Sequence, residues 1–447
     1  MRILVLGGDG YLGWPAAMYL SARGHDVAVI DNFLKRHWEL ELNAQPLIPI
    51  STLPERVHVW EDLTKHHIAF AVGDLCDYEF VRTALGHFRP EAIVHFGEQP
   101  SAPFSMIDQR RSVLTEVNNI TGTLNVLWAM HEVAPSAHLV KLGSMGEYGT
   151  PNIDIEEGFI EIEYHGRKGV FPFPKQPLSF YHLSKVHDSH NIMFACGVWK
   201  LRSTDLHQGI VYGVATDETE CDARLATSFH YDGIFGTSLN RFCVQAVAGV
   251  PLTLYGSGSQ TRPFLNIRDT LRSVELAILN PPQAGEYRVF NQFTETFSIL
   301  ELAETVRSQA EKLGCAATIR HLPNPRVEEE EHHYCPRHQK LLGLGLEPHL
   351  LSDVLVDSML VAIRNHAHRI RRESILPRVQ WDSTPGLAGP AIETRQSELS
   401  AVSMSRFSEW VLQRDVGGGA GMRFPPTADG EKLAADGLEE RAAPKAD

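Results

Sequence analysis

Short, mostly apolar runs recur through the first half of the chain. They fall at 3–6, 26–30, 68–72, 92–96 and 139–142, and a sixth strand is expected at 202–206. Mostly apolar runs of this length predict strands covered on both faces, the pattern of a parallel sheet. Helical spacing of apolar positions appears between them, most clearly over 112–131 and 181–196. Strands alternating with helices predict an α/β fold with a parallel sheet. From about Val214 the pattern shortens to an amphipathic helix at 239–246, a short strand at 251–256, and a stretch at 261–269 that returns the chain to the first unit. The expected division is 1–213 with 263–297 as one domain and 214–262 with 298–382 as a smaller C-terminal α/β lobe. The acid-, Gly- and Pro-rich segment between Thr150 and Ser179 reads as an ordered surface loop or a lid. Past Trp381 the periodicity fades. Residues 383–447 are expected to be a largely disordered tail, with one short helix at 394–413.

The first strand runs into Gly7, Gly10 and Gly13, then a helix, then a strand ending in Asp31-Asn32. Glycines at this turn let the backbone approach a pyrophosphate. The helix N-terminus stabilises its charge, and Asp31 accepts from ribose hydroxyls. The fold class is therefore a Rossmann-type doubly wound sheet that binds a dinucleotide. A carboxylate at Asp31 favours NAD, while the nearby Lys35 and Arg36 keep NADP as a minor alternative. Asp74, after the third strand, is placed to hold the adenine amino group or, like Asp77, to cap a helix. Asn118 lies within the long helix beside this site.

The fifth strand ends at Ser144, and Tyr181-x-x-x-Lys185 follows one helical turn apart on a single face. A hydroxyl, a phenol and an ammonium together make a proton-handling site. On this reading Lys185 lowers the Tyr181 pKa and Ser144 shares a hydrogen bond with the reacting hydroxyl.

Composition narrows the partners. The 447 residues are 43% hydrophobic and 21% charged, with a formal net charge of −14. An acidic balance argues against nucleic-acid binding, and no 18-residue apolar run suggests membrane insertion. The six cysteines show no C-x-x-C pair, which predicts reduced thiols. A cytoplasmic location is the default expectation, with a mature organellar form as the alternative. His332, His333, Cys335 and His338 lack a metal-ligand spacing, so no metal is expected.

These motifs, in this order, resemble the extended short-chain dehydrogenase/reductase superfamily of nucleotide-sugar enzymes. Longer blocks are similar to its UDP-sulfoquinovose synthase family: Gly7-Gly8-Asp9-Gly10-Tyr11, Val94-His95-Phe96-Gly97-Glu98-Gln99, Gly143-Ser144-Met145-Gly146-Glu147-Tyr148-Gly149, Ser179-Phe180-Tyr181-His182-Leu183-Ser184-Lys185 and Asn324-Pro325-Arg326. The resemblance implies NAD as cofactor, held by Gly7, Gly10, Tyr11, Leu12, Gly13, Asp31, Asn32, Arg36, Asp74, Leu75 and Asn118 with Tyr181 and Lys185. It implies UDP-glucose and sulfite as substrates, with Gln208, Thr253, Tyr255, Arg262 and Arg326 on the nucleotide sugar. The implied cycle oxidises C4, eliminates the C6 hydroxyl to a 4-keto-5,6-ene, adds sulfite at C6 and reduces C4 again. His182 and Glu147 are both candidates for the acid–base work of the elimination. A homodimer packed through the helices at 112–131 and 181–196, and a sulfite-donating protein, are further implications.

Three features set the sequence apart from its neighbours. Nucleotide-sugar 4,6-dehydratases carry Asp and Glu directly after the strand-five hydroxyl residue, where this chain has Met145 and Gly146. The family pattern has Arg after Glu-Gln in the fourth-strand loop, where this chain has Pro100, and Asn where it has His207. An NAD-dependent UDP-sugar 4-epimerase is the alternative reading, and a non-catalytic NAD-binding regulator is the third.

Overall fold

The computed structural model describes residues 1–324, 333–376 and 379. The tail at 383–447, the helix expected at 394–413, Arg326 and His332 lie outside the described residues.

Seven parallel strands form the main sheet, in the spatial order Tyr287–Gln292, Arg202–Gln208, His138–Ser144, Ala92–His95, Arg2–Leu6, Asp26–Asp31 and Ile68–Val72. The apolar runs have a direct cause, since both faces are covered. On Arg2–Leu6, Ile3 and Val5 enter one core while Leu4 and Leu6 enter another. The chain starts at Arg2–Leu6 and builds outward in one direction, then returns to place Ala92–His95 on the other side. That reversal lies between the two strands, and ligands bind such sheets outside the strand ends at this point.

The smaller lobe has its own core, built on Phe242, Leu252, Leu254, Phe264, Leu302 and Val306. Strands Leu252–Tyr255 and Ile319–Leu322 pair in parallel. Thr261–Asn266 lies between Glu295–Ser298 and Ile210–Tyr212. No helix among the described residues is long and apolar enough to cross a membrane.

Two expectations need correction. The helix expected over 112–131 is three pieces: α-helix Gln109–Glu116, a π-helical turn Val117–Thr121 and α-helix Gly122–Val133. The wide turn coincides with the pair Asn118-Asn119. Asn119 is drawn inward, donating to Ser184 Oγ at 2.9 Å and accepting from Gln99 N at 2.8 Å. Such turns interrupt helices most often at functional sites. The segment expected as a loop between Thr150 and Ser179 contains an antiparallel hairpin, Phe159–Tyr164 with Arg167–Pro172. His165 and Gly166, both at positive φ (50° and 72°), close it, as two-residue hairpin turns require. Most of the hairpin is solvent-exposed.

Candidate active site

One cavity of about 920 Å³ runs along the strand ends and between the two lobes. Gly7, Gly10, Tyr11, Leu12, Gly13, Asp31, Asn32, Arg36, Asp74, Leu75 and Asn118 all line it. The glycine turn fits a dinucleotide. Gly7 has φ +84°, and a Cβ there would stand 2.7 Å from the Gly97 amide nitrogen. A Cβ on Gly13 would stand 2.0 Å from the Gly7 carbonyl oxygen. The backbone thus closes directly onto the start of helix Gly13–Ala22, leaving room for phosphates at its N-terminus. Asp31 ends its strand on the cavity wall, accepting from Asp9 N (2.9 Å) and Phe33 N (2.7 Å). Burial pushes its carboxyl up to about 6. Asp77 takes the helix-capping role, accepting from Phe80 N. Asp74 instead accepts from Asn32 Nδ2 and Cys76 N at the cavity edge.

At the other end stand Ser144, Tyr181 and His182, all on the cavity wall. Ser144 ends its strand in extended conformation and caps a 3₁₀ turn, Met145–Glu147. Its Oγ accepts the Gly146 amide at 3.1 Å, which fixes the hydroxyl at the strand tip. Tyr181 and Lys185 project from helix Phe180–Trp199, whose N-cap Ser179 accepts from His182 N. The position after Met145 is filled from outside: a Cβ on Gly146 would stand 2.2 Å from His182 Nε2 and 2.4 Å from its Cδ2. The imidazole occupies the volume a side chain at 146 would need, and Ser179 Oγ holds its Nδ1 at 2.9 Å.

The expected lowering of Tyr181 by Lys185 is not the dominant effect. Burial pushes the phenol up to about 12, with Lys141 the cation that opposes it. Lys185 lies 3% exposed behind the cavity wall. Its ammonium is bonded to the Glu98 carboxylate and to the Leu142 carbonyl at 2.6 Å, and burial lowers it to about 8. Glu98 also pairs with Lys141 at 2.5 Å, and Lys141 faces Asp188 at 3.3 Å. All four side chains are almost wholly buried. Two cations and two carboxylates make a neutral set, which a dry interior requires.

Glu147 is placed behind the wall and is fully buried. One oxygen accepts from Ser144 N at 2.9 Å, and the other meets Lys175 at 2.6 Å and Ser189 Oγ at 3.0 Å. His207 stands between Glu147 and Asp205, 3.7 and 3.5 Å away. Glu147 acts on the site through Ser144, and both buried carboxyls are held below their usual range by the cations around them.

Gln208 lines the cavity from the end of its main-sheet strand, and Tyr255 and Arg262 line it from the second lobe. Thr253 does not. It is buried against Gln245, exchanging bonds at 2.8 and 3.0 Å. Arg241 stands in that region of the wall, donating to Thr253 O at 3.0 Å and packed 4.4 Å from the centre of the Tyr255 ring. Arg241, Glu98, Lys141, Asn119 and Tyr334 are the participants that sequence reasoning missed. Lys141 carried a signal, being the one cation inside an apolar strand. Tyr334 carried none. It reaches the cavity because residues 335–337 pair with Ile155. His333 is bonded to Asp154 at 2.7 Å, and among the described residues no cluster could hold a metal ion. All six cysteines are free thiols.

Comparison with known proteins agrees with this geometry. Residues 3–291 match the NAD dependent epimerase/dehydratase family. A chloroplastic UDP-sulfoquinovose synthase from Spinacia oleracea is 54% identical over 380 residues, covering 85% of this chain and 79% of the relative. A UDP-sulfoquinovose synthase from Sulfolobus acidocaldarius is 42% identical over 387 residues, covering 85% of this chain and 98% of the relative. The crystal structure of a UDP-glucose 4-epimerase from Bifidobacterium longum in complex with NAD+ and UDP shares the fold. Its TM-score is 0.62 at 17% identity, with 83% of this chain and all of that one covered. The chain belongs to the NAD-dependent epimerase/dehydratase family, within its UDP-sulfoquinovose synthase branch.

Proposed function

We propose that the protein converts UDP-glucose and sulfite to UDP-sulfoquinovose. The observation that carries this reading beyond its relatives' names is the His182 imidazole seated over Gly146. It stands where a 4,6-dehydratase would hold carboxylic acids, beside a complete Ser144, Tyr181 and Lys185 set.

Bound NAD would supply redox chemistry at C4, as hydride acceptor and then as hydride donor. The chain's own residues handle the protons. Ser144 Oγ accepts from Gly146 N, so its own hydrogen is directed outward to the C4 oxygen. Tyr181 takes the hydroxyl proton as its phenolate, the form that the positive charge of a bound nicotinamide would favour against burial, and Lys185 supports the site from behind the cavity wall with its charge balanced by Glu98. The ketone at C4 acidifies C5. His182 is the acid–base group of the elimination: Ser179 Oγ accepts its backbone N–H and lies 2.9 Å from its Nδ1, which leaves Nε2 as the ring nitrogen that meets the departing C6 hydroxyl. Loss of the C5 proton and of water leaves the 4-keto-5,6-ene. Addition of hydrogen sulfite forms the C–S bond at C6 and returns a proton to C5, so one water leaves for each sulfite gained.

Gln208, Tyr255, Arg262 and Arg241 are proposed to hold the nucleotide diphosphate, because a planar guanidinium suits two phosphate oxygens. A homodimer is also part of the proposal. Val113, Val117, Leu124, Trp128, Phe194 and Val198 are exposed on the helices expected to pack in it.

Incubation of the purified protein with UDP-glucose and sulfite, followed by mass spectrometry, tests the reading. UDP-sulfoquinovose is the expected product. Conversion to UDP-galactose alone would establish the 4-epimerase instead.

A further inference from the structure

The two cations after the second strand are both engaged by carboxylates of this chain. Arg36 donates from Nε to Asp9 Oδ2 at 2.5 Å and from Nη2 to Asp9 Oδ1 at 2.9 Å. A third bond runs from Nη2 to the Ser51 carbonyl at 2.7 Å. Lys35 meets Glu39 at 2.5 Å and His230 at 3.3 Å, and His230 in turn faces Glu39 at 2.8 Å. Asp9 is the hub of the first group. The wholly buried Arg56 also bonds its carboxylate, and its backbone N–H is given to Asp31.

A dinucleotide phosphorylated on the adenosine ribose brings about two negative charges to this corner. Sites that accept such a phosphate offer it an unengaged arginine. Here Asp9, Asp31, Arg36 and Arg56 form a set with no net charge, and the guanidinium closest in sequence to Asp31 is spent on Asp9 in bidentate geometry. We propose that Asp9, by holding Arg36, is a specificity-determining residue for NAD over NADP, acting together with Asp31. The inference rests on the dinucleotide reading of the cavity but not on the identity of the sugar or nucleophile. It differs from the simpler view that a carboxylate at Asp31 alone repels the phosphate. On that view, removing Asp31 would be enough to admit NADP.

The test is calorimetric titration of full-length protein, cleared of bound nucleotide, with NAD and with NADP. The proteins are wild type, Asp31→Ser, Asp31→Ser with Asp9→Asn, and that double variant with Arg36→Met added. Asp31→Ser is expected to weaken NAD and leave NADP weak. Adding Asp9→Asn is expected to tighten NADP by about tenfold or more, the scale of a charge-assisted bidentate contact. Adding Arg36→Met is expected to abolish that gain. Tight NADP binding by Asp31→Ser alone would overturn the proposal. So would a folded double variant without the gain, or a gain that survives Arg36→Met. Asp9→Asn leaves Arg56 without its carboxylate and risks the fold. If it fails to fold, NADP binding by Asp31→Ser decides the matter. A wild-type protein that bound neither dinucleotide would instead overturn the cavity's dinucleotide reading, and this inference with it.

Discussion

Gly146→Ala is the smallest change that separates the two halves of the proposed reaction. The added Cβ would stand 2.2 Å from His182 Nε2, 2.4 Å from Cδ2 and 2.8 Å from Cε1. Only the far end of that side chain is in the way, so the imidazole must retreat by roughly 1 Å to reach ordinary contact. It then loses its 2.9 Å contact with Ser179 Oγ. Overpacking of this kind costs about 1–3 kcal/mol of stability, which leaves the fold intact. The catalytic cost is larger. Acid–base catalysis by a positioned side chain is worth about 10²–10⁴-fold, and a misplacement of ~1 Å forfeits about 10² of it. Ser144 and Tyr181 keep their places, so oxidation at C4 survives. The assay is a rapid-mixing experiment with UDP-glucose that follows nicotinamide absorbance, run beside product quantification with sulfite present. Reduced nicotinamide is expected to form at near the wild-type rate, while product formation falls by about 10²-fold. Wild-type product formation, or an equal loss of both signals, would refute the role given to His182.

Glu147→Gln distinguishes a catalytic acid from a buried support. The geometry predicts a loss of stability of about 3–5 kcal/mol, because Lys175 is left without its partner, and an unchanged ratio of elimination to oxidation. Thermal unfolding and product analysis together measure both. Lys141→Met leaves Glu98 and Asp188 with Lys185 alone and is expected to destabilise by about 3–5 kcal/mol at pH 8. Asp188 is pushed up to about 6 from an ordinary value of 3.8. Lys141 holds that value down, so without it the folded variant takes up the Asp188 proton at a higher pH than the wild type, and the defect shrinks as pH falls from 8 toward 6. Denaturation that showed the same deficit at pH 5 and pH 8 would contradict this. Phe194→Glu, at a side chain 63% exposed, is expected to yield monomers in light scattering without lowering the melting temperature of the isolated subunit.

Much of the fold was legible because parallel strands covered on both faces favour mostly apolar runs. The strand expected at 68–72 is Ile68–Val72, and the helix expected over 181–196 is Phe180–Trp199. The hairpin at Phe159–Pro172 was missed despite the Ile-Glu-Ile-Glu alternation of its first strand, because its mostly exposed residues and its acidic surroundings read as loop. The π-helical turn was missed because its cause is tertiary: Asn119 answers Gln99 and Ser184, residues 20 and 65 positions away. The glycine turn, Ser144 and the Tyr181 helix were legible as local motifs. The charge partners that surround them were not, because Lys185 finds Glu98 across 87 positions and Arg36 finds Asp9 across 27. Motif spacing located the reacting groups, and only the fold revealed which of their charges were already answered.

The central claim is that bond breaking reaches C5 and C6, beyond the oxidation at C4. Reaction of UDP-glucose with sulfite in deuterium oxide, with the product's C5 position read by NMR, tests it most directly. The account predicts a sulfonated product carrying solvent deuterium at C5. Protium retained at C5, with or without inversion at C4, would contradict it.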